Sequence, residues 1–439
     1  MQRLAATLLS AALLLGSSFA SAETLLDIYL EAVQNDPQVR AAEANWRAAQ
    51  EAMPQSRAAL LPQISFRAQV ARTTEDILTS NMGATGKETF NSRGYTLELN
   101  QSLYNHQNYI MLRQADAVIA QATATYEAAQ QALIMRVAEA YFNLLSAEDD
   151  LATAQANQEA IGQQLRQTQQ RFEVGLSAIT DVHEAQAGFD AAVAAEIAAQ
   201  NALDVAREGL HEIIGREPGQ LAALGKQMPL VRPEPADINA WVSTALEQNL
   251  ALLAADAGSR QAAEGINLRQ AGHYPTLGLF ASHSHNDSTD ATQGRENKNT
   301  AVGVQLSVPI YSGGLTTSQT REARARYDEA NEMLEQQRRA TVRDARSAFL
   351  NITAGISQVK AREQALSSAQ TALEATEAGF DVGTRTMVDV LNAQSQRFLA
   401  QRDYSRARYD YALATLQLKM AAGMLNEEDV IEVSNWMRN

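Results

Sequence analysis

The sequence predicts a mainly α-helical chain in which one structural unit occurs twice, each copy inserting a pair of two-sided β-strands between long coiled-coil helices. One observation is the repeat itself. Phe172-Glu173-Val174-Gly175 followed by Asp181-Val182 returns as Phe380-Asp381-Val382-Gly383 followed by Asp389-Val390, and the same shift of 208 residues carries Gly215 onto Gly423. A fixed internal period means that both copies bury equivalent faces against equivalent neighbours. Another is a stripe of core-type residues at steps of three and four that runs unbroken across 107–172. The last is a set of four stretches in which apolar and polar residues alternate, the rhythm of half-buried strands.

Taken in order, Arg3, the apolar run Leu4 to Leu15 and the small residues Ala20-Ser21-Ala22 read as a secretory signal peptide cleaved after Ala22. The mature chain then divides into a first repeat over 23–237 and a second over 238–439. A helical stretch from Glu23 to about Leu60 leads into strands at Pro62–Val70 and Tyr95–Tyr104, joined by a polar loop over 73–92. The long helix follows, with Leu112, Ile119, Tyr126 and Leu133 at sevens, one stutter to Val137, and Leu144, Leu151, Leu165 and Phe172 continuing the seam. About 65 residues at roughly 1.5 Å each make a helix on the order of 100 Å. A return helix over about 178–214 is half that length, so stacking it on the N-terminal stretch matches one long helix. The second copy repeats the plan: a helix over 238–272, strands at Pro275–Ser284 and Val302–Tyr311 with a loop over 285–299, a long helix with Ile352, Val359, Leu366, Leu373 and Phe380 at sevens, and a return over 386–422.

Composition excludes much. The net charge of −15 argues against nucleic acid as a partner, and the absence of cysteine removes disulfides, thiolate metal sites and thiol catalysis. No apolar run of about 18 residues follows the leader, so any crossing of a membrane must use strands. Each expected strand has about ten to twelve residues, enough to cross when tilted. Four strands cannot close a transmembrane barrel, because about eight is the smallest number known and open edges are not viable in lipid. Copies must share the barrel; two give eight strands, three give twelve, and the count alone does not choose. His283 and His285 on one strand face, with Asp287, form a conceivable metal trio, but spacing two apart beside a loop is the ordinary pattern of polar residues at a barrel mouth. Asn351-Ile352-Thr353 matches a glycosylation pattern but falls inside a long helix. With no nucleophile motif, phosphate loop or paired catalytic carboxylates, no enzyme, cofactor or metal is expected.

Residues 172–182 and 382–391, supported by Ala140-Tyr141-Phe142-Asn143 and Pro309-Ile310-Tyr311-Ser312-Gly313-Gly314, resemble the TolC family of outer-membrane efflux and secretion channels over essentially the whole mature chain. The resemblance implies a homotrimer in which long coiled-coil helices form a periplasmic α-barrel, while four strands per protomer contribute to a shared 12-stranded β-barrel in outer-membrane lipid. Segments 216–237 and 424–439 would form a small equatorial region. It implies an exit duct for multidrug efflux or type I secretion, served by a periplasmic adaptor protein and an inner-membrane pump of RND or ABC type. The alternative from another class is a periplasmic coiled-coil scaffold without a pore. By the same resemblance, Val174-Gly175-Leu176 and Val382-Gly383-Thr384 are hairpin tips that meet the adaptor. Arg385 is the gate arginine tied to Thr180 and Asp181, and Phe380 stands where the family has a gate tyrosine. Asp389 forms a cation-selective ring, with Asn392 replacing a second aspartate one turn on.

Overall fold

The computed structural model describes residues 22–78, 86–225, 228–289 and 295–437, so the expected leader, residues 1–21 with it, and parts of both strand-connecting loops lie outside the described residues. The chain forms two compact units: Met1–Ala42, Tyr126–Leu250 and Arg338–Asn439 make one, and Glu43–Thr125 with Ala251–Gln337 the other. Each unit draws on both repeats. The repeat boundary at 237/238 is therefore a boundary of sequence and not of compaction.

The second unit holds the strands β1 (Gln63–Ile77), β2 (Gly86–Tyr104), β3 (Thr276–Ser288) and β4 (Arg295–Ser307) in one antiparallel sheet of order β1-β2-β3-β4. Residues directly opposite in such a ladder share a face. Ile64, Leu99, Ala281 and Val302 form one rung across all four strands, and Phe66 opposite Leu97, with Leu279 opposite Val304, continues the apolar face. The other face is polar, as in the rung Arg67, Thr96, Ser284 and Asn299. The apolar face is exposed at Ile64, Phe66, Val70, Val302, Val304 and Leu306. On β1 the apolar run climbs from the shared rung to Val70, whose row reaches Glu296 on β4, whereas on β4 apolar residues begin only at Val302. The band thus slides six residues over three strand steps. At about 3.3 Å per residue and about 4.8 Å between strands, that slide corresponds to strands tilted by roughly 50°, the sense of geometry a closed barrel imposes.

The strands correct the expected lengths, having 15, 19, 13 and 13 residues. The backbone ladder continues past the point where apolar alternation stops: Thr73 pairs with Phe90, and the hydroxyls of Thr74 and Thr89 lie 3.0 Å apart. Much of the expected loops 73–92 and 285–299 is therefore strand. Conversely β4 ends at Ser307 and not at Tyr311, just before Pro309, whose missing N–H cannot extend a ladder, and the chain turns through Gly313 and Gly314 at positive φ.

The expected helical stretches 23–60 and 238–272 are each broken. The first becomes α1 (Leu25–Asn35), α2 (Pro37–Gln50) and α3 (Ala52–Ala58). Asp36 is extended because it precedes Pro37, and its carboxylate caps α2 by accepting from the Val39 N–H at 2.8 Å. The long helix α4 (His106–Glu173) is followed by the return helix α5 (Ile179–Ile214). The second stretch becomes α6 (Ile238–Gln248) and α7 (Leu250–Gln270), parted at the extended Asn249. After β4 come the long α8 (Leu315–Asp381), its return α9 (Met387–Ala421) and the short α10 (Glu427–Asn435).

The core of the first unit packs Leu25 and Ile28 of α1 against Leu133, Val137, Tyr141 and Phe142 of α4, with Leu210 and Ile214 of α5 and Leu416 of α9. A second cluster joins Trp241, Ile352, Val359, Tyr411 and Leu418. Both return helices end at glycines in the left-handed region, Gly215 (φ 79°) and Gly423 (φ 77°), so the sequence repeat is also a repeat of backbone conformation. The segments after them meet: the Gly225 N–H donates to the Trp436 carbonyl at 2.8 Å, and Tyr411 stacks on Trp436.

Candidate functional site: the paired hairpin tips

The two tips are built alike. The N–H of Leu176 donates to the Arg171 carbonyl at 2.7 Å and that of Gly175 to Phe172 at 2.9 Å; in the second copy Thr384 donates to Gly379 at 2.8 Å and Gly383 to Phe380 at 3.0 Å. Both closures need a residue at positive φ, supplied by Gly175 and Gly383, each at 78°. The turns push Val174, Leu176 and Val382 into solvent, with Thr384 also exposed.

Each return helix is then started by an aspartate in its first turn. Asp181 Oδ2 accepts from the Ser177 hydroxyl at 2.6 Å and the Ala178 N–H at 3.2 Å. Asp389 Oδ2 accepts from the N–H and hydroxyl of Thr386, both at 2.9 Å, while the Asp389 N–H returns a bond to the Thr386 hydroxyl at 3.3 Å. This reciprocal pair is a capping box. The Thr386 backbone and hydroxyl bonds, with a smaller contribution from Arg385, hold the Asp389 carboxyl below the usual 3.8. The carboxylate stays charged.

Packing joins the two hairpins within one chain. Met387, at the start of α9, is buried beside α4, with the Gln164 amide donating to its sulfur at 3.2 Å, and a Cβ at Gly188 of α5 would meet Leu391 at 3.4 Å. Arg171 lies with its guanidinium carbon 5.0 Å from the centre of the Phe380 ring and a nitrogen 3.7 Å from Asp381. Arg385 folds its stem over Gly379, where a Cβ would come within 2.8 Å of Arg385 Cγ. Among the described residues the Arg385 side chain makes no hydrogen bond or ion pair, and the single chain does not bring it onto Thr180 or Asp181. Thr180 and Asn392 are exposed.

Sequence reasoning missed Arg171, Ser177, Thr386 and Met387. The capping role was legible in Thr386-x-x-Asp389; the contacts of Arg171 and Met387 cross between repeats and left no local signal. The conceivable metal trio is not assembled. His283 bonds Thr300 at 2.8 Å, Asp287 pairs with Arg93 at 2.7 Å, and among the described residues no three His, Asp or Glu side chains converge. No described helix is long and apolar enough to cross a membrane.

The model of the family described as "Outer membrane efflux protein" matches residues 28–216 and 241–424, one stretch in each repeat. The chain belongs to the outer membrane efflux protein family. It is 43% identical over 440 residues to the outer membrane protein TolC of Vibrio cholerae, covering 99% of this chain and 98% of that protein. To the alkaline protease secretion protein AprF of Pseudomonas aeruginosa it is 32% identical, covering 98% and 90%. The solved structure of the CmeC outer membrane channel of Campylobacter jejuni shares the fold with a TM-score of 0.78 at 18% identity, over 94% of this chain and 90% of that one. This efflux-family chain is an outer-membrane exit duct with a periplasmic extension, not an enzyme. An exposed apolar sheet face is what outer-membrane lipid requires of it.

Proposed function

We propose that three copies of this chain close one 12-stranded barrel and together form a gated exit duct, docked at its periplasmic tips by an adaptor protein and energised by an inner-membrane pump of RND or ABC type. The observation that carries this reading is the four-stranded sheet with unpaired edges at β1 and β4 and one apolar face. Open edges cannot stand in lipid, so other copies must pair with them. Two copies would give eight strands, an interior that side chains fill; a conduit needs the next symmetric solution, three. A scaffold without a pore leaves the apolar face unexplained.

Exposed Val174, Leu176 and Val382, with the rigid turns at Gly175 and Gly383 and with Thr384, offer the adaptor an apolar contact. The guanidinium of Arg385, without a hydrogen bond or ion pair among the described residues, is available to Thr180 and Asp181 of a neighbouring protomer. Charge-assisted bonds of about 1.5–3 kcal/mol, three by symmetry, sum to about 5–9 kcal/mol, against about 5.5 for switching a two-state gate. Asp389, kept ionised, supplies a ring of three carboxylates that favours cations, with Asn392 softening it. The relatives named for protease secretion support cargo that includes polypeptides.

Planar-bilayer recording of the detergent-purified protein tests this. A particle of three copies that conducts, with larger conductance for Arg385→Ala and weaker cation selectivity for Asp389→Ala, is expected. A monomeric particle overturns the assembly, and unchanged conductance and selectivity in both variants overturns the gate.

A further inference from the structure

The repeat makes the two tips comparable residue by residue, and they differ where it matters. The shift of 208 places Arg171 on Gly379 and Ser177 on Arg385, so each hairpin carries one arginine at a position the other lacks. The two arginines also have different surroundings. Arg385 lies back over Gly379, the small residue that replaces Arg171, and among the described residues its head makes no hydrogen bond or ion pair, acting on Asp389 only through its charge. Arg171 instead reaches from the end of α4 to the end of α8 and engages two consecutive residues of the other hairpin, the face of Phe380 at 5.0 Å and the carboxylate of Asp381 at 3.7 Å. Its side chain is 31% exposed and that of Asp381 is 69% exposed, so the aromatic contact lies on the better covered side.

We infer that Arg171 is the latch between the two hairpins of one protomer, clasping Phe380 through its π face and Asp381 through charge, while Arg385 serves the contact between protomers. This rests on the gate reading above and adds a second, independent lock to it. The chemistry accounts for the phenylalanine: a ring without a hydroxyl cannot hydrogen-bond to the first hairpin, yet its face still attracts a guanidinium. Movement of α8 and α9 away from α4 must break that contact, whatever happens at the neighbouring protomer. Arg171 thereby positions the second hairpin.

Bilayer recording of Arg171→Ala, Phe380→Leu and their double variant tests the latch, with trimer mass and helical circular dichroism confirming assembly. A partly exposed contact of this kind shifts an equilibrium about two- to fivefold, so three acting together raise the open-to-closed ratio on the order of ten- to a hundredfold. The double variant should open no further than the stronger single variant, because both remove one interaction. The chain has no native cysteine, so Arg171→Cys with Asp381→Cys can be bridged cleanly by a short bifunctional maleimide. Bridging in an Arg385→Ala background should restore the low conductance. Wild-type behaviour of Arg171→Ala beside an enlarged conductance in Arg385→Ala, additive opening in the double variant, or a bridged protein that stays open would each overturn the latch and leave the gate standing. If neither arginine variant alters conductance, the gate reading itself falls and takes the latch with it.

Discussion

Replacing Arg136 by alanine should destabilise the helical unit most at neutral pH and progressively less in acid. Asp36, at the break between α1 and α2, has a side chain only 2% exposed, and two Arg136 nitrogens reach its two oxygens at 3.0 Å each. Burial raises the Asp36 pKa, but the Arg136 bonds and the Val39 N–H outweigh it and leave the group below the usual 3.8. A depressed folded pKa stabilises above the unfolded value, and that stabilisation disappears as pH falls through the folded one. Without Arg136 the burial effect dominates and the folded pKa rises, so the variant carries an uncompensated carboxylate at pH 7 and a neutral one in acid. Breaking a buried pair costs about 3–5 kcal/mol, and the retained Val39 bond with a 28% exposed Arg136 places this case near 3. At about 2.1 cal/mol/K per residue, that lowers Tm by about 5 °C for a unit of this size. Melts of the detergent-solubilised protein at pH 7 and near pH 3 check it. A gap that does not shrink on acidification, or one below about 1 kcal/mol at pH 7, would show that Arg136 contributes packing alone.

Lysine at Val304, in the apolar face, should cost about 2–4 kcal/mol at mid-depth and lower the yield of folded protein in outer membranes, whereas Ser282→Lys on the opposite face should assemble normally. Gly423→Ala should lose about 1–3 kcal/mol in denaturant titration, because its Cβ would overlap the Gln248 carbonyl; Gly215→Ala, with only Asn35 at 4.0 Å, should lose less. Thr386→Ala should fray the first turn of α9, read as faster amide exchange at 386–389, while keeping cation selectivity; Asp389→Asn, which weakens the same cap, should lose selectivity as well. Because the Thr386 hydroxyl bond helps to lower the Asp389 pKa, Thr386→Ala should lose its selectivity at a higher pH than the unsubstituted protein does on acidification.

The long periodicities were the legible part of this chain. A seam of sevens from Leu112 to Phe172 fixes a helix that the structure ends at Glu173, because dozens of residues vote for one period. Single residues decide the rest. Pro37 signals the break at Asp36, but nothing local marks Asn249, where the backbone is extended without a proline. The strand ends were misjudged because side-chain alternation reports a buried face, whereas the ladder from Thr73 to Ile77 is held by backbone pairing and the Thr74–Thr89 hydroxyl contact, which apolar alternation does not mark. At the tips the glycines and capping aspartates could be read; the Arg171 contact could not, since a repeat reveals which positions are equivalent and not which copies touch.

The tips separate what a duplicated hairpin must keep from what it is free to change. Gly175 and Gly383 share one φ, and Asp181 and Asp389 each cap a return helix, because a hairpin that lacks either loses its turn or frays its first turn. These positions serve local folding and are identical in both copies. Among the positions that differ, Arg171 against Gly379 and Ser177 against Arg385 set the arginines apart: Arg171 reaches beyond its own hairpin to Phe380 and Asp381, and the Arg385 side chain makes no hydrogen bond or ion pair among the described residues. In the proposed ring of three protomers each hairpin would have one neighbour inside the chain and one outside, so two identical hairpins would present the same arginine to both. Divergence at the two arginine positions removes that conflict. On the proposed reading of the gate and ring, Asp181 and Asp389 act twice, as caps and as charged groups, so opening would move a stiff helix start and not a loose end.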